Sequence, residues 1–298
     1  MAYKHQPVML AEVMAALEPR PGGKFLDCTL GGAGYTLALA EAVGPAGKII
    51  SLDLDSLALD NAATIIAERN LSNIVLRQDN FKNLGAVLED LEEGGLDGVV
   101  FDLGLSSAQL DDESRGFSFL GDRPLDMSFG GGNKTTADIV NGYPLPELTK
   151  VFREYGEEPR AYRAAKAIIE YRRQNRIRTT GELKAALSRA LPSRPGARLN
   201  PATRIFQALR METNRELDSL SLALPQALKA LRAGGRLVSV SFHSGEDRIV
   251  KHFFREAAKA GQVEILSKKP IIPQEAEIAD NPRARSAKLR AAKKIDNF

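Results

Sequence analysis

The stretch Lys24-Phe-Leu-Asp-Cys-Thr-Leu-Gly-Gly-Ala-Gly-Tyr35 joins an apolar run to a glycine-rich turn and then to a helical pattern. The apolar run predicts a strand over Lys24–Cys28, and the residues Tyr35–Val43 predict a helix that ends before Gly44-Pro45. Glycines at such a junction let the helix start close to the strand and let a ligand approach the backbone. The stretch therefore predicts a strand, a ligand-binding loop and a helix of an α/β sheet.

Outward from this stretch, the first half of the chain alternates between apolar runs and amphipathic segments. Strands separated by helical segments of about 10–15 residues are typical of parallel sheets. The pattern predicts strands at Lys48–Asp53, Asn73–Arg77 and Asp97–Asp102, with helices at Ser56–Asn70 and around Leu84–Glu92.

The second half of the chain first departs from this pattern and then returns to it. Residues 105–136 are rich in glycine, serine and aspartate, and residues 146–214 indicate helices only, with a capping box at Thr179–Glu182. We expect one α/β domain formed by residues 1–110 and 216–298, interrupted by an inserted all-helical domain at residues 111–215. Beyond the insert, we predict a helix at Leu217–Leu231 closed by Gly234-Gly235, a strand at Arg236–Phe242, a helix at Glu246–Ala260, a strand at Gln262–Ser267, and a strand or helix at Arg285–Ala292.

The net charge of +3 conceals an uneven distribution of charge along the chain. Residues 1–152 contain 11 basic and 22 acidic side chains, whereas residues 153–215 contain 15 basic and 6 acidic ones. Residues 267–298 contain a further 8 basic and 4 acidic side chains. A basic block of this kind indicates an anionic partner, and a solvated helical surface is the alternative interpretation.

Composition and motifs exclude several classes of protein. The apolar runs are far shorter than the ~18 residues that a membrane-spanning helix needs, and Met1–Pro7 lacks the apolar core of a secretory signal. A single cysteine, Cys28, and three histidines argue against a disulfide framework and against a structural zinc site. The adjacent carboxylates Asp111-Asp112-Glu113 do not indicate a metal, since neighbouring side chains point apart. We expect a protein without a metal in the reducing cytoplasm.

Polar side chains follow the second and third predicted strands. Asp53 comes 19 residues after Gly34, where a carboxylate can bind both hydroxyls of a ribose. NAD, FAD and S-adenosylmethionine all remain possible, as does a tight turn with a solvated Asp53. Phe81 in Asp79-Asn80-Phe81 is suited either to flank an adenine or to pack in the core.

Two further groups follow the fourth and fifth predicted strands. Asp102 ends the fourth strand, and ligands of open α/β sheets bind at this edge, so Asp102 is a candidate for the reaction centre or for a helix cap. His243 in Ser241-Phe-His-Ser244 follows the fifth strand. No G-x-S-x-G motif is present, which argues against a Ser-His-Asp hydrolase. His243 is therefore expected to cap the next helix or to contact a substrate.

Taken together, these residues resemble the bacterial methyltransferases that methylate the exocyclic N4 of a cytidine in small-subunit ribosomal RNA. The resemblance extends from Tyr3 to Ser286 and depends on several motifs that occur in the same order. They are Asp102-Leu-Gly-Leu-Ser-Ser-Ala-Gln-Leu-Asp-Asp112, Arg115-Gly-Phe-Ser-Phe119, Pro124-Leu-Asp-Met127, Tyr155-Gly-Glu-Glu158, Asn200-Pro-Ala-Thr-Arg204 with Phe206-Gln-Ala-Leu-Arg210, and Ser241-Phe-His-Ser244 with Glu246-Asp-Arg-Ile-Val-Lys251.

The resemblance implies a class I, Rossmann-like methyltransferase sheet with an inserted helical domain and S-adenosylmethionine as cofactor. Tyr35 stands where the family commonly has histidine, which favours a backbone contact at this position. The implied cofactor contacts are Ala33, Gly34 and Tyr35 in the loop, Asp53 at the ribose, Phe81 beside the adenine, and Asp102 and Gln109 after the fourth strand.

The implied reaction assigns Asp102 as the hydrogen-bond acceptor for the amine, with Ser106 and His243 as weaker candidates for contact with the base. The implied partner is small-subunit ribosomal RNA, within an assembled or nearly assembled subunit, and a homodimer is open. Two rival functions are an NAD-dependent oxidoreductase and a non-catalytic RNA-binding protein. The basic side chains expected to bind phosphates are Arg160, Arg163, Lys166, Arg172, Arg173, Arg176 and Arg178 in the insert and Arg283, Arg285, Lys288 and Arg290 near the end of the chain.

Overall fold

The computed structural model describes residues 7–105, 115–117, 121–130, 134–192 and 201–295. The chain divides into two compact units. One unit is formed by Met1–Ser107 with Leu217–Phe298, and the other by Ala108–Glu216.

A seven-stranded sheet forms the centre of the first unit. The strands are β1 (Lys24–Asp27), β2 (Lys48–Asp53), β3 (Ile74–Gln78), β4 (Leu96–Asp102), β5 (Leu231–Ser241), β6 (Val263–Ile265) and β7 (Lys288–Lys294). Their order is β3-β2-β1-β4-β5-β7-β6, in which β7 pairs antiparallel with β5 and β6 and the other neighbours are parallel. The order reverses direction between β1 and β4, and ligands bind at such a point in open α/β sheets.

The helices of the described residues are numbered along the chain. They are α1 (Leu10–Leu17), α2 (Gly34–Val43), α3 (Ser56–Glu68), α4 (Leu84–Asp90), α5 (Thr136–Gly142), α6 (Leu145–Glu154), α7 (Ala161–Arg172), α8 (Thr180–Ser188), α9 (Pro201–Asn214), α10 (Glu216–Ala230), α11 (Ser244–Lys259) and α12 (Glu275–Asp280). Within this part of the chain, no helix is both long and apolar enough to cross a bilayer.

Apolar side chains cover both faces of the sheet, because successive residues of a strand point to opposite faces. In β1, Phe25 packs in the cluster that includes α1 and α2, while Leu26 packs in the cluster that includes α4, α10 and α11. In β4, Val100 and Phe101 divide in the same way. Strands that are buried on both faces have continuous apolar sequences, which is why the sequence predicted them well. The predicted α/β fold is confirmed.

The structure corrects the prediction at one helix end, adds helices α1 and α12, and decides the segment that the sequence left open as a strand or a helix. Gly234-Gly235 was predicted to close a helix, but that helix ends at Ala230 and the glycines lie inside β5. The pairing of β4 with β5 shifts register here, and a Cβ on Gly235 would lie 2.8 Å from the Leu96 carbonyl, so the glycines serve a bulge rather than a helix end. Helix α1 was not predicted, and the undecided segment near the C-terminus forms β7, which starts at Lys288.

The described elements of the second unit are helices α5 to α9. Thr179 and Glu182 form the predicted capping box at the start of α8. Thr135 and Asp138 form a second one at the start of α5. This unit has an apolar core of its own, which includes the fully buried side chains of Leu148, Phe152, Ile168 and Leu183. Of the motif at Asn200-Pro201, only Pro201 is within the described residues, and it begins α9.

Candidate active site

The glycine loop between β1 and α2 is tied to the end of β2. The Ala33 amide donates to the Leu30 carbonyl at 2.7 Å, and Ala33 has a left-handed backbone with φ of 62°. The Gly31 amide donates to Asp53 Oδ2 at 2.8 Å. Helix α2 then begins at Gly34, and no side chain caps it among the described residues. Amides in the first turn of an uncapped helix carry partial positive charge, so this turn is suited to bind a carboxylate or phosphate.

Asp53 lies at the end of β2 with both carboxylate oxygens partly used. Oδ2 accepts from Gly31, and Oδ1 accepts from the backbone amide of Asp55 at 2.9 Å. Burial raises the pKa of Asp53, and its hydrogen bonds to backbone amides oppose this rise. Each carboxylate oxygen can accept a second hydrogen bond. Asp53 therefore orders the glycine loop and keeps acceptor capacity on both oxygens for a ligand.

Asp27 is a buried carboxyl to which the sequence pattern assigned no role. It accepts hydrogen bonds from Thr36 Oγ1 at 2.7 Å and from the Thr29 amide at 3.1 Å, and Thr36 also lies 2.7 Å from Ser51 Oγ. Burial raises the pKa of Asp27 to about 6, although these hydrogen bonds lower it in part. Asp27 thus joins β1, α2 and β2 beneath the loop. Its place at a strand end, directly before the glycines, was the signal that could have identified it.

Asp102 ends β4 and has an oxygen whose hydrogen-bonding capacity is unused. Its amide donates to Thr29 Oγ1 at 2.7 Å. Within the described part of the chain, Asp102 Oδ1 is buried and accepts no hydrogen bond. Burial raises the pKa of Asp102 well above its ordinary value, and the charges of Asp27 and Glu246 raise it further. A buried oxygen without a partner is costly, so this atom is the strongest candidate for contact with a ligand or a reacting group.

Phe81 begins a short 3-10 helix directly after β3. Its ring meets that of Phe101 edge-on, with a centroid distance of 5.7 Å and an interplanar angle of 89°. The Asp79 amide donates to the Asp53 carbonyl at 3.1 Å and thereby joins the end of β3 to the end of β2. Since Phe81 is only partly buried, packing in the core and contact with an adenine are compatible roles for it.

The side chain of Tyr35 contacts the segment that precedes α1. It is buried, and its hydroxyl donates to the Val8 carbonyl. A ligand contact at Tyr35 would therefore fall on its backbone, and this contact stays a prediction.

Several residues singled out in the sequence lie outside the described residues: Ser106, Gln109 and the acidic run Asp111-Asp112-Glu113. Among the residues that the structure does describe, no group of three or more His, Cys, Asp or Glu side chains is arranged to hold a metal ion.

His243 caps helix α11, which was one of its two predicted roles. Its Nδ1 accepts from the amides of Gly245 and Glu246 at 3.1 and 3.3 Å, and Glu246 Oε2 accepts from the Phe242 amide at 2.9 Å. Nε2 lies 2.9 Å from Glu246 Oε1 without hydrogen-bond geometry, and has no other partner in the described ranges. Because both ring nitrogens face the start of its own helix, the geometry favours capping over contact with a substrate.

Two of the arginines that were predicted to bind phosphates make contacts within the protein. Arg172 Nη1 donates to the Val140 carbonyl at 2.7 Å, and burial lowers the pKa of its guanidinium. Arg290 is only 8% exposed and pairs with Asp247 through two contacts of 2.6 and 3.2 Å. The prediction for Arg290 was therefore wrong, because a charge count does not show where a side chain points, whereas a phosphate contact at the partly buried Arg172 stays a prediction. The predicted cations that are well exposed are Arg163, Lys166, Arg173, Arg176 and Arg178 in the insert and Arg283 and Arg285 near the C-terminus.

The chain is similar to curated bacterial proteins over nearly its whole length. It is 42% identical to Ribosomal RNA small subunit methyltransferase H of Thermomicrobium roseum, over 98% of this chain and 94% of that protein. It is 44% identical to the protein of the same name in Dehalococcoides mccartyi, over 98% of this chain and 87% of that protein. A third, from Heliobacterium mobile, is 42% identical over 99% of this chain and 100% of that protein.

The chain also resembles a solved structure and matches a family model. A structure from Clostridium thermocellum superposes with a TM-score of 0.50 over 99% of this chain and 100% of that chain, and at 14% identity it supports the fold alone. The model of the MraW methylase family matches residues 2–295. The resemblance seen in the sequence is thus confirmed, and the chain belongs to the MraW methylase family.

Proposed function

We propose that this protein transfers a methyl group from S-adenosylmethionine to the exocyclic N4 of a cytidine in small-subunit ribosomal RNA. The names of the relatives support the reaction class and the RNA, and the motif resemblance supports the N4 atom. The observation that carries the proposal is the buried Asp102 Oδ1, which lacks a partner in the described residues and belongs to a residue whose amide donates to Thr29, just before the glycines.

The residues at the ends of β1, β2 and β3 fit this cofactor. The first turn of α2, with the backbone of Ala33, Gly34 and Tyr35, would hold the carboxylate of its methionine part. Asp53 would accept from the ribose hydroxyls, and Phe81 would lie beside the adenine. By resemblance, Gln109 would add a contact after β4. When bound, S-adenosylmethionine supplies a methyl group on a positively charged sulfur, which is already activated for transfer.

The protein's own chemical task is to prepare the amine. The lone pair of cytosine N4 is delocalised into the ring, so the amine is a poor nucleophile. Asp102 Oδ1 would accept a hydrogen bond from the amine, which concentrates the lone pair on nitrogen, and would then take the proton that the amine releases. The raised pKa of Asp102 means that a nearby positive charge is needed to keep it ionised at neutral pH. Holding both reactants in line supplies the remaining rate acceleration.

The RNA would be held outside the pocket. The target base must leave its stack at a cost of a few kcal/mol, and phosphate contacts supply affinity that does not depend on sequence. We assign methyl transfer to residues 1–110 and 216–298, and RNA contact to the exposed cations of residues 111–215. We further propose that the RNA is met in the cytoplasm, within an assembled or nearly assembled subunit.

The test is a transfer assay with radiolabelled S-adenosylmethionine and unmethylated small-subunit RNA, offered both free and in subunits. Mass spectrometry of the nucleosides should find N4-methylcytidine at one position, with faster transfer to subunits. Transfer to another atom would refute the N4 assignment. RNA binding without transfer would favour a non-catalytic binding protein, and displacement of the cofactor by NAD at comparable concentration would favour an oxidoreductase.

A further inference from the structure

The segment Pro7–Met9 lies directly on the first turn of α2. A Cβ built on Gly34 would be 2.7 Å from both Cβ and Cγ of Pro7, closer than real side chains approach. The Tyr35 hydroxyl, one residue further along the turn, donates to the Val8 carbonyl. Position 34 therefore requires glycine because Pro7 occupies the space that a side chain would need.

A third contact fixes the far end of this segment. The Met9 amide donates to Glu277 Oε1 on α12 at 2.6 Å. Met9 is fully buried and Val8 is nearly so, and both pack with Tyr35 in one apolar cluster. The segment is thus held by a close backbone approach, two hydrogen bonds and apolar burial.

The turn beneath the segment is the one assigned to the cofactor. Gly34 lies against Pro7 at the position where a side chain would begin, and the N-cap residue Ala33 offers no side-chain acceptor to the amides of this turn. Burial raises the pKa of Tyr35, and the charges of Asp102 and Asp27 raise it further, so the hydroxyl stays protonated and can donate to Val8.

We propose that Pro7–Met9 is a positioning element of the cofactor site, which holds the first turn of α2 in the orientation that binds S-adenosylmethionine. The inference rests on the proposed function for the identity of the ligand. It assigns Gly34 to contact with Pro7 and assigns the Tyr35 hydroxyl to the N-terminal segment. Under this proposal, neither the Cα of Gly34 nor the side chain of Tyr35 contacts the cofactor.

A double-mutant cycle tests the role of Gly34. Calorimetry should give a dissociation constant for S-adenosylmethionine about 10-fold higher in Gly34→Ala, because the added Cβ forces the segment off the turn. In a Pro7→Gly background, the same alanine should change affinity less than about 3-fold, since its steric partner is gone. An equal loss in both backgrounds would mean that the Cβ meets the cofactor, and the inference would fall.

The two hydrogen bonds provide a test that introduces no steric clash. Tyr35→Phe and Glu277→Ala should each raise the dissociation constant of S-adenosylmethionine about 3- to 10-fold, because each removes one hydrogen bond that holds the segment on the turn. Glu275→Ala, an exposed acidic residue on the same helix, is the matched control and should leave the affinity unchanged. Lower thermal stability with unaltered cofactor affinity in both variants would show a purely structural role and refute the inference. Failure of the wild-type protein to bind S-adenosylmethionine would refute the proposed function instead.

Discussion

Replacement of Asp53 by asparagine should weaken cofactor binding far more than it changes the stability of the fold. Asp53 accepts from the amides of Gly31 and Asp55 at 2.8 and 2.9 Å, and its remaining acceptor capacity is assigned to the ribose. Asparagine keeps the shape but loses the charge and one acceptor oxygen. A hydrogen bond to a charged group is worth about 1.5–3 kcal/mol, so losing one raises the dissociation constant about 10- to 150-fold.

The effect on stability is smaller because two contributions oppose each other. The variant weakens one hydrogen bond to the loop, but it also removes a charge whose burial raises the pKa of Asp53. We therefore expect the free energy of unfolding to change by less than about 1 kcal/mol. Asp55→Ala is the matched control, since Asp55 caps α3 through the Leu57 amide at 3.2 Å. Loss of that cap should cost about 1 kcal/mol of stability and leave cofactor affinity unchanged.

Calorimetric titration with S-adenosylmethionine and denaturant unfolding, performed on the same samples near neutral pH, separate the two quantities. Unchanged affinity in Asp53→Asn would refute the ribose assignment. An equal loss of affinity in Asp55→Ala would show that general loosening of this strand end, and not the removal of a hydrogen bond to the ribose, explains the result.

Three other perturbations probe the remaining parts of the site. Asp102→Asn should reduce turnover about 100-fold or more with little change in cofactor affinity, and equal losses in steady-state turnover and in calorimetric affinity would make Asp102 a cofactor ligand instead. The pKa of Asp27 is about 6 in the folded protein, against 3.8 for an ordinary aspartate, because burial disfavours its charged form. The folded state is therefore most stable where Asp27 is protonated, below about pH 4, and loses about 3 kcal/mol of stability as the pH rises to about 6. Thermal unfolding of Asp27→Asn should lack this component, and a constant difference from wild type across that pH range would contradict it. Exchanging Arg173 and Arg178 for Glu should lower RNA affinity, and the slope of log affinity against log salt concentration should become shallower by about 0.7 for each phosphate that is no longer neutralised. Arg69→Glu, outside the basic block, should change neither quantity. An unchanged slope in the double variant would mean that the two arginines only face solvent.

The sequence predicted the sheet and the loop because their signals are local. Apolar runs, glycines and acidic strand ends each lie within a few residues of one another, so the succession of β1 to β5 along the chain and the place of Asp53 at a strand end could be predicted. Asp27 also had a local signal, but its hydrogen bonds to Thr36 and Thr29 needed the structure to show that it faces inward.

Contacts between residues distant in sequence were beyond prediction. The charge of Arg290 was evident, but its partner Asp247 lies on a different element and is brought to it only by the pairing of β7 with β5. Gly34 was assigned to the cofactor by resemblance, but its contact with Pro7, 27 residues earlier in the chain, could not be predicted. Arg172 likewise reaches the Val140 carbonyl on another helix. Burial and direction, not residue type, decided each of these roles.

The insertion between β4 and β5 also has a consequence for how the chain folds during synthesis. Val99, Val100 and Phe101 pair with Leu237, Val238 and Ser239. These partners leave the ribosome about 140 residues later, which at 5–20 residues per second is roughly 7 to 28 s. Until then β4 is an apolar edge strand without a neighbour on one side, and such edges pair readily with other chains. The length of the insert therefore sets the interval in which the nascent protein is most prone to aggregate.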